Sequence, residues 1–347
     1  MLRFRTSIVR QGCYTGLEVL LLLPTVLLAG CFTFRTPEHV LRQRDAIQGE
    51  LQVNVDISHA SSFTGDVGGA LDTVREQVAC LPARYRAKIG TIIVRDGFFT
   101  DYYVMSPFVA AFTTTDGTIY VRNANPTRLL QSLLLFHGND ALVHEIVHSV
   151  QFNEMHRWQQ TGRPSREFAQ LIRDWELQYF GDVDGNGRID DADAACIAAD
   201  TARFDPNRDG QVNHADVEAI HGQPYVQGRW ASLRGMQVLL WMSFEWFTPR
   251  PKGFACPYAK TCVWEDAAET VRYAWRAGFI PALYAGEGRA AERAWAGFAR
   301  IERSDPLLAR KVLLMVRYIA AHEEPGRLGA AWLERGAGAL TVAAGRQ

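Results

Sequence analysis

Hydrophobic and polar positions divide the 347-residue chain into distinct blocks. Val19 to Ala29 is a largely apolar run of eleven positions behind Arg3, Arg5 and Arg10, too short to span a bilayer as a folded helix. It predicts a secretory signal over residues 1–30, followed by an extended tether over 31–50. LQVNVDI, beginning at Leu51, reads as a strand, Asp66 to Leu81 as an amphipathic segment, and KIGTIIVRD, with its β-branched run, as a buried strand. GTIYVRN, from Gly117 to Asn123, follows the polar turn TTTDG and reads as a further strand. ALVHEIVHSVQ, residues 141–151, is nearly all apolar and predicts a buried helix that Asn139 or Asp140 can cap. Helical patterns recur over 154–180, over 265–276, and from Pro306 to Ile319, where Leu307, Leu308, Val312, Leu313 and Val316 share a face. MQVLLWMSFEWF, residues 236–247, is apolar without a clear period and leaves helix and strand open. The Gly- and Ala-rich tail beyond Glu323 reads as peripheral. Short strands ahead of a long apolar helix predict an α+β fold.

Within the apolar helix, His144, Glu145 and His148 spell HExxH. Two imidazoles four positions apart lie about 40° apart around a helix of 3.6 residues per turn, so both can face one ion. Zinc held by neutral histidines polarises a water molecule, and the neighbouring Glu145 carboxylate can take its proton and deliver it to a leaving amine. That is the chemistry of a metallopeptidase.

A second motif occurs twice. DVDGNGRIDDAD, from Asp182 to Asp193, and DPNRDGQVNHAD, from Asp205 to Asp216, each place Asp or Asn at loop positions 1, 3 and 5, glycine at 6 and aspartate at 12. Hard oxygen ligands at that spacing wrap a calcium ion, and the glycine permits the sharp turn. The loops resemble the paired calcium loops of dockerin modules. That resemblance implies two calcium sites: Asp182, Asp184, Asn186, Arg188 through its carbonyl, and Asp193; then Asp205, Asn207, Asp209, Gln211 through its carbonyl, and Asp216. Dockerins usually sit at chain ends and bind cohesins, whereas this pair lies inside the chain, which favours a structural role over a cohesin-like partner.

Leu28-Ala29-Gly30-Cys31 resembles the lipobox of bacterial lipoproteins, which implies lipidation at Cys31 and attachment to a membrane. Phe32 stands where many inner-membrane lipoproteins carry aspartate, so the expected address is the outer membrane. Residues 1–30 contain three arginines and one glutamate; without them 34 basic side chains face 37 acidic ones, a net charge of −3 that gives no reason to expect nucleic acid. Cys80, Cys196, Cys256 and Cys262 remain, an even count in an oxidising compartment, and the pair six apart, Cys256 and Cys262, is the obvious local bridge.

Two histidines leave a zinc site incomplete. A metzincin pattern would need glycine at 151 and histidine at 154, where the chain has Gln151 and Glu154. Glu167 lies nineteen residues past His148, near the spacing of thermolysin-like enzymes, but without their surrounding residues. Glu265 and Glu269, in WEDAAETVRYAW, are four apart, share a helical face, and either can turn toward an ion. As an exposed pair they would repel mildly, so something is expected to compensate them.

PYAKTCVWEDAAE, with Tyr258 seven positions before Glu265, resembles the gluzincin-type bacterial peptidases related to the anthrax lethal factor catalytic domain. The resemblance implies Glu265 as third zinc ligand, Glu269 behind it, and Tyr258 as donor to the oxyanion. It extends to GTIYVRN as the edge strand that substrates pair with and to DPLLARKVLLM near the end. Ala267 departs from the aromatic common in that family.

The expected organisation is therefore a zincin-like domain in two parts, 51–178 with a small mixed sheet and the HExxH helix, and 223–322 with the third ligand. A dockerin-like insert at 179–222 separates them, and a tail follows over 323–347. The expected function is an exported, lipid-anchored zinc endopeptidase that binds one catalytic Zn²⁺ and two structural Ca²⁺ and takes a peptide or protein substrate. Two rivals are a binding lipoprotein with an inactive zincin domain and a calcium-dependent partner module, and a zinc amidase acting on cell-wall peptides.

Overall fold

The structure is a computed structural model that describes residues 36–60, 66–95, 111–122, 140–180, 183–186, 191–206, 208, 210, 212, 216, 252–256, 258–259, 263–284, 288–323 and 329–334. The signal segment, Cys31, the apolar run 236–247, Cys262, and the loop positions Asp182, Arg188, Asn207, Asp209 and Gln211 lie outside them.

The described fold is mixed α+β. Strands β1 (Val55–His59), β2 (Ile92–Arg95), β3 (Ala111–Thr113) and β4 (Ile119–Arg122) form one sheet in the order β1-β2-β4-β3. β2 runs parallel to both β1 and β4, and β3 is antiparallel to β4. Ile92, Val94, Ile119 and Val121 alternate along their strands onto one buried face, the period-2 pattern of a half-covered sheet. GTIYVRN is thus an inner strand, and among the described residues the edges belong to β1 and β3. The cause is the TTTDG turn, which folds β3 back onto β4: Gly117 N–H donates to Thr114 O at 2.8 Å, and Thr118 N–H donates to Asp116 Oδ1 at 3.1 Å. Gly117 sits at φ +82°, and a Cβ there would come within 2.8 Å of Asn153, so the turn needs glycine for conformation and for closeness.

Residues 38–50, expected to be extended tether, instead belong to helix α1 (Glu38–Leu51). Val40, Ile47 and Leu51 recur at helical spacing and are buried beside α2 (Val67–Ala79), whose own N-terminus is capped by Asp66 through Gly69 N–H at 2.8 Å. A one-turn helix, α3 (Ala83–Arg86), follows.

The HExxH segment lies on α4 (Ala141–Thr161), which ends at Gly162 in the left-handed region and is followed by α5 (Arg166–Phe180). α4 is wedged between the β3–β4 side of the sheet and α8 (Val263–Arg276). Before α8 in the chain come the short helices α6 (Asp191–Ala199) and α7 (Thr201–Phe204); after it come α9 (Phe279–Tyr284), α10 (Arg289–Ser304) and α11 (Pro306–Ala320). α8 packs on α11, which in turn covers α5 and α10. The tail is less peripheral than its composition suggests: Trp332 stacks on Trp295 at 4.4 Å and meets Phe298 edge-on.

Candidate metal centre

α4 and α8 each present two residues four apart to the space between them. His144 and His148 come from α4, and Glu265 and Glu269 from α8. His144 Nε2 and His148 Nε2 are 3.0 Å apart, and Glu265 Oε2 lies 3.1 Å from the first and 3.2 Å from the second. The side chains of His144, His148 and Glu265 are only 8%, 13% and 20% exposed. Among the described residues, these three are the group whose ligand atoms converge closely enough to hold a metal ion.

The far nitrogen of each imidazole is held as well. His148 Nδ1 is 2.9 Å from Gln151 Oε1, and Gln151 Nε2 points the other way, toward Trp264 O at 3.4 Å. An amide oxygen facing Nδ1 accepts a hydrogen bond from that nitrogen, so Nε2 is the one turned toward the cluster. His144 Nδ1 has Glu269 Oε1 at 3.0 Å, but off the N–H axis, so the contact is more an ion pair than a directed hydrogen bond. Arg272 spans from Glu269 at 2.9 Å to Asp140 at 2.8 Å, and Arg276 reaches the same aspartate. Arg272 thus compensates Glu269, and the two imidazoles face Glu265. Asp140 stands at the N-cap position of α4 without capping it, because its carboxylate is turned to the two arginines.

The charges are strongly coupled. Burial disfavours a charged His144, but hydrogen bonding and charge from Glu265, then Glu269, outweigh it and push the imidazole up to about 10. His148 is also raised: burial opposes its charged form, and Glu265 prevails. Burial would raise the carboxyl of Glu265, yet the neighbouring histidines hold it well below the usual carboxylate range. With no cation between them, the imidazoles are the groups whose positive charge offsets Glu265 and Glu269.

Glu145, next to His144 in the chain, lies beside this cluster and is held by the edge strand. Thr113 Oγ1 is 2.8 Å from Glu145 Oε2 and 2.9 Å from its backbone carbonyl. The ring of Tyr258 lies 6.0 Å from that of His144. Its phenol is pushed well above the ordinary value by burial first, then by the negative charges of Glu265 and Glu145, so it is a hydrogen-bond donor at any ordinary pH.

Two rival ligands point elsewhere. Glu167 is exposed on α5. Glu154 pairs with Lys88 at 2.5 Å on the far side of α4. Of the expected Cys256–Cys262 bridge only Cys256 lies among the described residues, where Cys80, Cys196 and Cys256 carry free thiols; Cys256 Sγ is turned inward, 3.4 Å from Glu269 Oε2. Gln151, Thr113 and Arg272 escaped the sequence reading. Gln151 had a usable signal, since it stands three residues after His148 on the same helical face.

In the calcium-type loops several described positions make local contacts. The buried Asp193 carboxylate accepts from Val183 N–H at 2.6 Å and Asp184 N–H at 3.2 Å, so position 12 closes the first loop. Asp184 accepts from Asn186 N–H at 3.0 Å, and Asp205 from Gly210 N–H at 2.9 Å. Gly210 has φ +81° and Asp216 is buried. Phe204 meets Phe180 edge-on at 6.0 Å and joins the same apolar core, with Ile197 beside it.

Comparison with protein-family models, with curated proteins and with solved structures yields no match for the chain.

Proposed function

We propose that the protein hydrolyses peptide bonds with the help of a zinc ion held by His144, His148 and Glu265. The observation that carries this reading is the convergence of two imidazole nitrogens and one carboxylate oxygen with mutual distances of 3.0, 3.1 and 3.2 Å. Tetrahedral zinc with bonds of about 2.0–2.1 Å separates its ligands by roughly 3.3 Å, so this donor set fits with little movement. Three protein ligands are the number that catalytic zinc uses, with a fourth position left for water or substrate. When bound, zinc supplies Lewis acidity, lowering the pKa of a water molecule toward about 7 and polarising the scissile carbonyl.

The protein groups do the rest. Glu145 takes a proton from the attacking water and passes it to the leaving amine, its carboxylate aimed by the Thr113 hydroxyl. Tyr258, kept protonated, donates to the oxygen that gains charge in the transition state. Gln151 and Glu269 fix the ring orientation of the two histidines.

The two loops between α5 and α8 are read as calcium sites that brace the insert, with Asp182, Asp184, Asn186, Arg188 and Asp193 around one ion and Asp205, Asn207, Asp209, Gln211 and Asp216 around the other. The burial of Phe204 and Ile197 in the common core supports a structural role over a free partner-binding module. The N-terminal pattern around Cys31 adds export and lipid anchoring to the proposal. A peptide-library cleavage assay on residues 32–347, beside Glu145→Gln, tests the activity. Turnover should fall by about 10²–10⁴-fold in the variant with zinc retained. Equal cleavage by both proteins would remove the mechanism.

A further inference from the structure

Lys311 is fully buried, and so is the carboxylate it pairs with, Asp266 at 2.6 Å. A buried ion pair is weak ground for stability, because well-packed apolar residues often do as well. What the pair joins is more informative. Asp266 follows Glu265 in the first turn of α8, whereas Lys311 belongs to α11. The same ammonium donates to Gly253 O at 2.7 Å and lies 3.9 Å from the ring centre of Phe254. Asp305, which caps α11 through Leu308 N–H, accepts from the N–H of Gly253 at 2.9 Å. Gly253 is therefore gripped at both its N–H and its carbonyl, at φ +79°, where a Cβ would collide with Leu307. This clamped residue opens the segment that carries Tyr258.

We propose, resting on the zinc reading above, that Lys311 is a positioning residue for the centre. From outside the site it fixes the start of α8, and with it Glu265, relative to the Gly253 segment that delivers Tyr258. No contact of Lys311 with the ligands is needed. One cation sets the register of two elements whose functional side chains must meet the histidines of α4. A structural pair would act only on the melting temperature, whereas a positioning pair also sets the metal affinity of the folded protein.

The test uses the full chain with Zn²⁺ alone, titrated in competition with a chromophoric chelator, alongside thermal melts of the same samples. Lys311→Met removes the cation beside the buried Asp266 carboxylate and should melt earlier. The double variant Lys311→Met, Asp266→Leu removes both charges and should melt close to the parent. In both variants the zinc dissociation constant of folded protein should rise by at least about tenfold, as for lost support around a metal ligand. A double variant that regains the parent melt and also the parent zinc affinity would overturn the proposal. Failure of the parent chain itself to bind zinc would instead sink the zinc reading, and this proposal with it.

Discussion

The two candidate ion sites are built in opposite ways. At the metal centre the donors come from two helices, with His148 and Glu265 117 residues apart, and the apolar packing of α4 against α8 brings them together. In the loops the donors lie within twelve residues of one another, and the described contacts include short-range ones such as Asn186 on Asp184. The first site is preorganised by the core. The second has a legible ligand order, and on the calcium reading its clustered carboxylates repel until a cation joins them. On that reading the motif legible from sequence alone is also the one more dependent on its ligand.

Perturbing the support behind the histidines should produce the largest effect. Gln151→Ala and Glu269→Gln should each weaken zinc binding by about 10–100-fold, read by chelator competition. The fold is set by the core, so circular dichroism of the metal-free variants should match the parent. Loss of helix would mean that the centre is not held by packing.

A pH series sharpens the contrast. Zinc must displace the proton that the carboxylates keep on His144, whose pKa in the metal-free protein is about 10. Apparent zinc affinity should therefore rise by roughly tenfold per pH unit between about pH 7 and 9. The metal-free protein should do the reverse. The stability from this raised pKa is fully present below about 6.5 and is lost as pH rises toward about 10. Melts of the metal-free protein that are flat across that window would contradict the coupling.

Weakening the loops should give the smallest change. Asp184→Ala with Asp209→Ala should lower the calcium-dependent part of the melt by only a few degrees, since the shift per kcal/mol shrinks as the chain grows. Because Phe204 packs on Phe180, activity should fall modestly as well. Unchanged activity would make the insert independent of the catalytic core and would restore the partner-binding alternative.

Legibility followed the range of the interactions. His144 and His148 could be paired by helical spacing alone, and the same rule put Glu265 and Glu269 on one face. Choosing between those two glutamates took a resemblance. In the structure both approach His144, Glu265 at Nε2 and Glu269 at Nδ1. Asp140 looked like a cap because capping is local, and two arginines from α8 outcompeted it. α1 was missed because its three buried apolar residues are spread through a mostly polar stretch. Lys311 sits in an apolar helix pattern, and nothing near it in the chain hints at a partner 45 residues away.

The most direct test of the central claim is zinc-edge X-ray absorption on purified protein, compared with Glu265→Ala and Glu167→Ala. The expected result is about one zinc per chain with two imidazole nitrogens and oxygen in its shell, lost in Glu265→Ala and kept in Glu167→Ala. A Glu265→Ala protein that holds zinc with the parent spectrum would contradict it.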